Sequence, residues 1–187
     1  TLSRGMFTVR FTSDMAEADQ LPVVLTPAVA VVPRWQDERT LLLLTDSRPP
    51  PDTTFQIQPL ETAQDAGGIA LAQVPRAAST PPFRIVSVES STTSSLAGGR
   101  VTYADIVFSS PVDSKQLLAH LQATPNLKDC RLSSKTNAPS DHQRIGIGHR
   151  ADVSSIELCF KKGLQAVGAA RGLDKDRRVT IPIKPQQ

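Results

Sequence analysis

The chain has 187 residues, of which 39% are hydrophobic and 21% charged, with a formal net charge of +3. That balance suits a globular protein and excludes a disordered one. The longest apolar runs, Val29 to Val32 and Leu41 to Leu44, are far too short to cross a bilayer as a helix. The surplus positive charge is scattered. Its densest cluster, Asp174-Lys175-Asp176-Arg177-Arg178, is interleaved with acids and reads as a solvated turn, so no nucleic-acid partner is expected.

Fifteen prolines interrupt most helical windows, and apolar residues alternate with period two along most of the chain. Phe7-Val9-Phe11 puts three apolar side chains on one strand face. Val23-Val24-Leu25 and Val29 to Val32 predict two further strands. After Trp35 comes a turn at Asp37-Glu38-Arg39, then a strand over Thr40 to Leu44. Asp46 to Asp52, with Pro49-Pro50-Pro51, is a loop, and Thr53 to Gln58 alternates again with Phe55 and Ile57 inward. Asp65-Ala66-Gly67-Gly68 is a tight turn. Val74 to Pro82, with three prolines, is the expected boundary between a domain at 1–80 and another at 81–187. A linker there, or the Ser90 to Gly99 loop, is the expected site of proteolytic nicking.

The second half opens with a strand over Phe83 to Val88, and Ser90 to Gly99 is a polar loop. A strand follows at Tyr103 to Phe108. Ser114 to Gln122 is the one expected helix, capped by Ser114 and apolar along Leu117, Leu118 and Leu121. Cys130-Arg131-Leu132 is a short strand, and Ser133 to Gln143 a polar loop. Arg144 to Gly148 and Ser155 to Phe160 are strands. Lys161 to Leu173 is a glycine-punctuated connection, and Arg178 to Ile183 closes the fold. The fold class is all-β: two tandem immunoglobulin-like antiparallel β-sandwich domains, with one short helix in the second.

The two halves make nearly the same statement. Each has an alternating strand ending in Phe-x-Ser (Phe11-Thr12-Ser13, Phe108-Ser109-Ser110), a polar turn with Asp14 or Asp113, and an apolar segment ending at Thr26-Pro27 or Thr124-Pro125. The separation is about 97 residues, the size of one small sandwich. Duplication at this scale points to binding or scaffold modules and away from a single enzyme domain, whose pocket needs unrepeated residues.

Several segments carry a family resemblance. Phe108-Ser109-Ser110-Pro111-Val112-Asp113 is followed by a short leucine helix. Later come Lys161-Lys162-Gly163-Leu164, Gly172-Leu173-Asp174 and the final strand Val179-Thr180-Ile181-Pro182. In the first half, Trp35-Gln36-Asp37-Glu38-Arg39-Thr40-Leu41 resembles a "W-x-D-x-R-T-L" segment. Pro50-Pro51-Asp52-Thr53-Thr54-Phe55 resembles an "L-P-x-G-T-x-Y" turn with Asp52 where glycine is usual. This cadence resembles the tandem N-terminal modules of the bacterial alpha-2-macroglobulin family. The resemblance implies structural or interaction modules of a protease trap in the periplasm or cell envelope. Its partners would be host or competitor proteases, reached through the full-length parent, and cell-envelope proteins. A membrane contact would come only through an N-terminal anchor not included in this sequence. The start at Thr1-Leu2-Ser3-Arg4, with no apolar leader, is expected of an excised or mature portion. In the family a Cys-x-Glu-Gln thioester tethers proteases. Cys130 and Cys159 are followed by other residues, so no thioester role is carried over. Similar modules also occur in adhesins and surface-layer proteins as spacers or ligand binders, which is the alternative reading.

No residue set forms a catalytic motif, and no enzyme, cofactor or metal is expected. His142, His149, Asp141 and Asp152 fall within twelve positions, but the seven-residue spacing puts the two histidines on opposite faces of one strand. They read as exposed loop histidines. His120 lies on the short helix with no nucleophile placed beside it. Gly146-Ile147-Gly148 lacks the third glycine of a dinucleotide loop, and Ser94-Ser95 and Ser109-Ser110 lie in no nucleophile elbow. Asp14 and Asp113 hold equivalent repeat positions and read as turn-formers; a calcium site between modules is the functional alternative. Trp35, the single tryptophan, reads as a core or edge residue, with an interface anchor as the alternative. Cys130 and Cys159 match no metal spacing. A disulfide across the second sandwich and two free thiols both fit, with Cys159 on the wetter strand face.

Overall fold

A computed structural model describes residues 5–15, 21–94, 100–125, 130–132 and 138–183. The chain divides into two compact units, Thr1–Pro81 and Pro82–Gln187.

In unit 1 the strands are β1 (Met6–Arg10), β2 (Val23–Thr26), β3 (Val31–Asp37), β4 (Thr40–Thr45), β5 (Thr54–Pro59) and β6 (Arg76–Ser79). They form two antiparallel sheets, β1-β4-β3 and β2-β5-β6. The alternation read from the sequence decides which side chains meet. Phe7, Leu41 and Leu43 of one sheet close on Val23, Leu25, Phe55 and Ile57 of the other. Phe7 and Phe55 cross edge-on at 5.1 Å, a geometry that adds roughly 1 kcal/mol beyond area burial.

Unit 2 contains β7 (Ile85–Ser94), β8 (Arg100–Val112), α1 (Ser114–Ala119), β9 (Leu121–Thr124), β10 (Cys130–Leu132), β11 (Ser140–His149), β12 (Ser155–Phe160) and β13 (Arg177–Pro182). Its sheets are β10-β11-β8-β7 and β13-β12-β9. In sequence order this pairs the first, second, fifth and fourth strands against the third, sixth and seventh, the order of an immunoglobulin constant-type sandwich. The described strands of unit 1 repeat six of these positions: β1, β4 and β3 stand where β8, β11 and β10 do, and β2, β5 and β6 where β9, β12 and β13 do. Both Thr-Pro bonds of the repeat, Thr26-Pro27 and Thr124-Pro125, are cis. Phe108 stacks on Phe83 at 5.8 Å and meets Phe160 edge-on at 6.4 Å within the core of unit 2.

Several boundaries differ from expectation. Pro33 and Trp35 lie inside β3, because an edge strand has a free side on which a missing N–H costs nothing. Arg76–Ser79, within the expected linker, is β6 and bonds along β5, so that stretch is not a free linker. Ser90 to Ser94 belong to β7 and Asp141 to Gln143 to β11; their polar side chains hid strands that extend past the apolar core. Residues 95–99 of the expected polar loop, and 133–137, lie outside the described residues. The helix is shorter than expected and Asp113 caps it, its carboxylate accepting from the N–H groups of Lys115 and Gln116 at 2.9 and 3.1 Å. Ser114 is instead buried inside the first turn, its hydroxyl turned toward Gln143. Leu121 starts β9, and Leu118 is exposed.

Candidate functional site

The residues that carry the family resemblance prove to be fasteners. In unit 1, β3 and β4 are joined by a turn at Glu38-Arg39 with a register shift between Trp35 and Asp37. Asp37 accepts from the Arg39 N–H at 2.9 Å, and this bond, helped by Thr40, holds its carboxyl below the usual range. Arg39 in turn pairs with Asp14, beyond the end of β1. Backbone bonds from Phe11 N–H to Arg39 and from Met15 N–H to Glu38 complete the clasp. Trp35 leans over Phe11 at 5.8 Å and stays 36% exposed, so it is an edge residue, not a buried one. The clasp walls an open hollow of about 570 Å³, lined by Asp14, Met15, Trp35, Asp37, Glu38 and Ala66. Asp52 has φ of 53°, the left-handed conformation that explains why glycine is usual at that turn.

In unit 2 the Lys161 and Gly172 segments interlock. Gly163 N–H donates to Leu173 O at 3.0 Å and Leu173 N–H to Leu164 O at 2.9 Å. A β-carbon on Gly172 would sit 2.6 Å from the Gly163 carbonyl, so only glycine lets these backbones approach. Asp176 accepts from Lys162 N–H at 2.8 Å and Lys161 Nζ at 3.1 Å, which lowers its pKa, the backbone bond contributing most. The cluster read as a solvated turn therefore carries a clamp at its centre. Next to it the Cys159 thiol reaches toward Asp176 at 3.8 Å. Cys159 lies on the outer strand face, as the alternation implied, but Asp176 and its neighbours bury it to 7% exposure. It is a free thiol. Cys130 stands opposite Ile147 in the other sheet, and its side chain lies outside the described ones.

The tempting polar residues do not converge. His142 faces outward on β11, 3.8 Å from Asp105, while His149 faces inward and is buried. The opposite-face expectation holds, but neither lies in a loop, and His149 is not exposed. Its Nε2 meets the Thr102 hydroxyl at 2.9 Å, Thr102 meets Thr92 at 2.8 Å, and Nδ1 meets the Arg150 carbonyl at 2.9 Å. That chain satisfies polar groups where the long strands outrun the apolar core. Sequence reasoning missed it because its members sit in three strands; the inward parity of Thr102 with Ala104 and Ile106 was the available signal. Asp141 is exposed, and Asp152 pairs with Arg150 at the surface. His120 ends α1, its Nδ1 3.0 Å from the Gln116 carbonyl. Asp14 and Asp113 serve as ion-pair partner and helix cap. Among the described residues no three His, Cys, Asp or Glu side chains gather as a metal site.

The outer sheet faces are the remaining places where chemistry is displayed. In unit 2, Asp105 takes both arms of Arg144 at 2.8 and 2.9 Å, and Arg144 lies over Tyr103 at 5.5 Å, with Glu89 opposite Asp105 on β7. In unit 1 the equivalent face carries one apolar row, in which Met6 and Val32 flank Leu44 and are 59% and 54% exposed, beside a row of Thr8, half-buried Leu42 and Arg34. The strand order and the packed faces define a tandem pair of immunoglobulin-like β-sandwiches. Compared with known proteins, the sequence matches no protein-family model and no curated protein.

Proposed function

We propose that the two units are non-catalytic structural and interaction modules of a bacterial alpha-2-macroglobulin-like protease inhibitor of the cell envelope. The observation that carries this reading is the shared strand wiring of two adjacent units, which a load-sharing array of modules requires and a single catalytic domain does not. Two of the resemblance segments support it by fastening turns: Trp35 to Leu41 clasps the end of β1, and Lys161 to Leu164 locks onto Gly172-Leu173. Proteases meet the parent protein, and these modules contribute its framework and contacts with envelope proteins.

The test uses the full-length parent. Incubated with trypsin, it should block hydrolysis of a large protein substrate while sparing hydrolysis of a small chromogenic peptide, since an enclosed protease is shielded by size. The 187-residue chain alone should leave both activities unchanged. A parent that leaves large-substrate cleavage intact, and that carries a surface-layer or sorting signal, would move the modules to the adhesin class.

A further inference from the structure

We infer that the lateral cleft of unit 2, between the start of β7 and the start of β13, is a docking site for an extended segment of a partner polypeptide that carries acidic and apolar side chains. The inference goes beyond the protease-inhibitor reading and does not depend on it. The cleft is an open hollow of about 430 Å³. Its walls come from the edge strands of the two sheets, so it opens at the side of the sandwich. All of them lie within residues 83–88 and 173–179, in continuously described stretches of unit 2.

The backbone of β7 is shaped to this cleft. A register shift between Ile85 and Ser87 makes Val86 the extra residue of a β-bulge. Bulges bend an edge strand and re-aim a side chain. Here the bulge inverts the parity of the strand. Ile85 and Val88, three residues apart, both pack against the core, while Val86 turns outward and is 55% exposed. Buried Phe83 and Leu173 and half-buried Val179 complete an apolar lining.

Three guanidinium groups surround that lining, those of Arg84, Arg177 and Arg178, against the single carboxylate of Asp174. Arg177 stands opposite Phe160 and has the inward parity of Val179 and Ile181, yet it is exposed at the cleft. Its pair with Asp174 spans 4.0 Å, too long for a hydrogen bond, and Arg178 meets Glu157 at 3.4 Å on the surface. Exposed pairs this loose hold their cations weakly. A partner carboxylate can take them over with the two-pronged geometry a guanidinium favours. Charge complementarity therefore selects acidic side chains, and the apolar lining selects apolar ones between them. The wall along 83–88 is roughly 20 Å of extended chain, which suits a peptide of about five residues and not a lone anion.

Phage-displayed random dodecapeptides selected against the full chain test this. Recovered peptides should combine Asp or Glu with apolar residues. A synthetic copy of one should bind less tightly as salt rises and should shift the amide NMR signals of 83–88 and 173–179. Arg84→Glu with Arg177→Glu should weaken its binding by about tenfold or more, while Tyr103 absorbance still reports a folded unit 2. Arg34→Glu with Arg76→Glu makes the same charge change at exposed positions of unit 1 and should leave binding unaltered. If the unit 2 variant loses its fold, the shift pattern of the unaltered chain decides alone. Failure to select peptides, recovery of acid-free peptides, shifts that fall elsewhere or equal losses in the two double variants overturns the inference. So does tighter binding of phosphatidylglycerol vesicles than of any recovered peptide, since a membrane would then be the occupant. A concentration-dependent dimer of the peptide-free chain that Arg84→Glu with Arg177→Glu abolishes also overturns it, in favour of a second copy.

Discussion

The described strands of unit 1 and unit 2 share one wiring diagram and differ in the cores and surfaces built on it. Among the described residues, sixteen buried side chains form the core of unit 2 and seven that of unit 1. Unit 2 has β7 over the edge of β8, a helix after it, and an ion-paired outer face around Asp105. In unit 1 Met6 and Val32 are exposed. The difference teaches that duplication preserved the pairing pattern, which depends only on alternation and turns. Core size and surface chemistry differ on that common pattern. The smaller core described for unit 1 predicts that it is the less stable of the two. The single Trp35 and single Tyr103 fall in different units, so Trp fluorescence and Tyr absorbance follow the two transitions separately.

Truncating a core phenylalanine should separate the units most sharply. Phe55→Ala and Phe160→Ala each remove a fully buried ring, at a cost of about 3–5 kcal/mol. A domain the size of unit 1 has roughly 4–12 kcal/mol in all. We therefore expect Phe55→Ala to abolish the Trp35 transition at room temperature, while Phe160→Ala lowers the Tyr103 transition but leaves it visible. Equal responses would show that the difference in core size has no energetic weight.

Gly172→Ala comes next. Its new methyl meets the Gly163 backbone at 2.6 Å, and the interlocked segments must part by a cost of about 1–3 kcal/mol. Chemical denaturation should show the loss in the Tyr103 signal and none in the Trp35 signal.

Acid should weaken both units through their fasteners. Asp37 and Asp176 are held below the ordinary carboxylate range, the first chiefly by the Arg39 N–H and the second chiefly by the Lys162 N–H. A carboxyl with a depressed folded-state pKa stabilises fully above the unfolded value, about pH 4, and that support disappears as pH falls through the folded value. Melting temperatures measured from pH 6 to pH 2 should drop in both transitions. Asp37→Asn should flatten only the Trp35 profile and Asp176→Asn only the Tyr103 profile.

Two smaller effects finish the series. With Cys159 free, the intact mass should be the same with and without reductant, and the thiol should alkylate slowly until unit 2 unfolds. A mass two hydrogens lighter without reductant would establish the bridge to Cys130. Asp52→Gly relieves a left-handed residue but loosens the unfolded chain, so unit 1 stability should change by less than about 1 kcal/mol.

Much of the fold was legible in local signals. Phe7-Val9-Phe11, Phe55-Ile57 and Val179-Ile181-Ile183 alternate, and all of them line a core, because a pleated strand sorts its side chains by parity alone. The resemblance placed a turn at Asp52 where glycine is usual, and the left-handed backbone there came only with the structure. Arg76–Ser79, Ser90 to Ser94 and Asp141 to Gln143 were illegible as strands. Their side chains are polar or small, and only pairing with β5, in the first case, and with β8, in the other two, holds them extended.

By itself the sequence determined the all-β class, the duplication and the inward-facing residues, since these follow from period, proline and turn chemistry acting over a few residues. Tertiary structure alone decided that β8 lies between β7 and β11, and that His149 is buried while Asp176 clamps two lysines. Those outcomes depend on which distant strand lies alongside, and hydrogen bonds across dozens of residues leave no local mark on the chain.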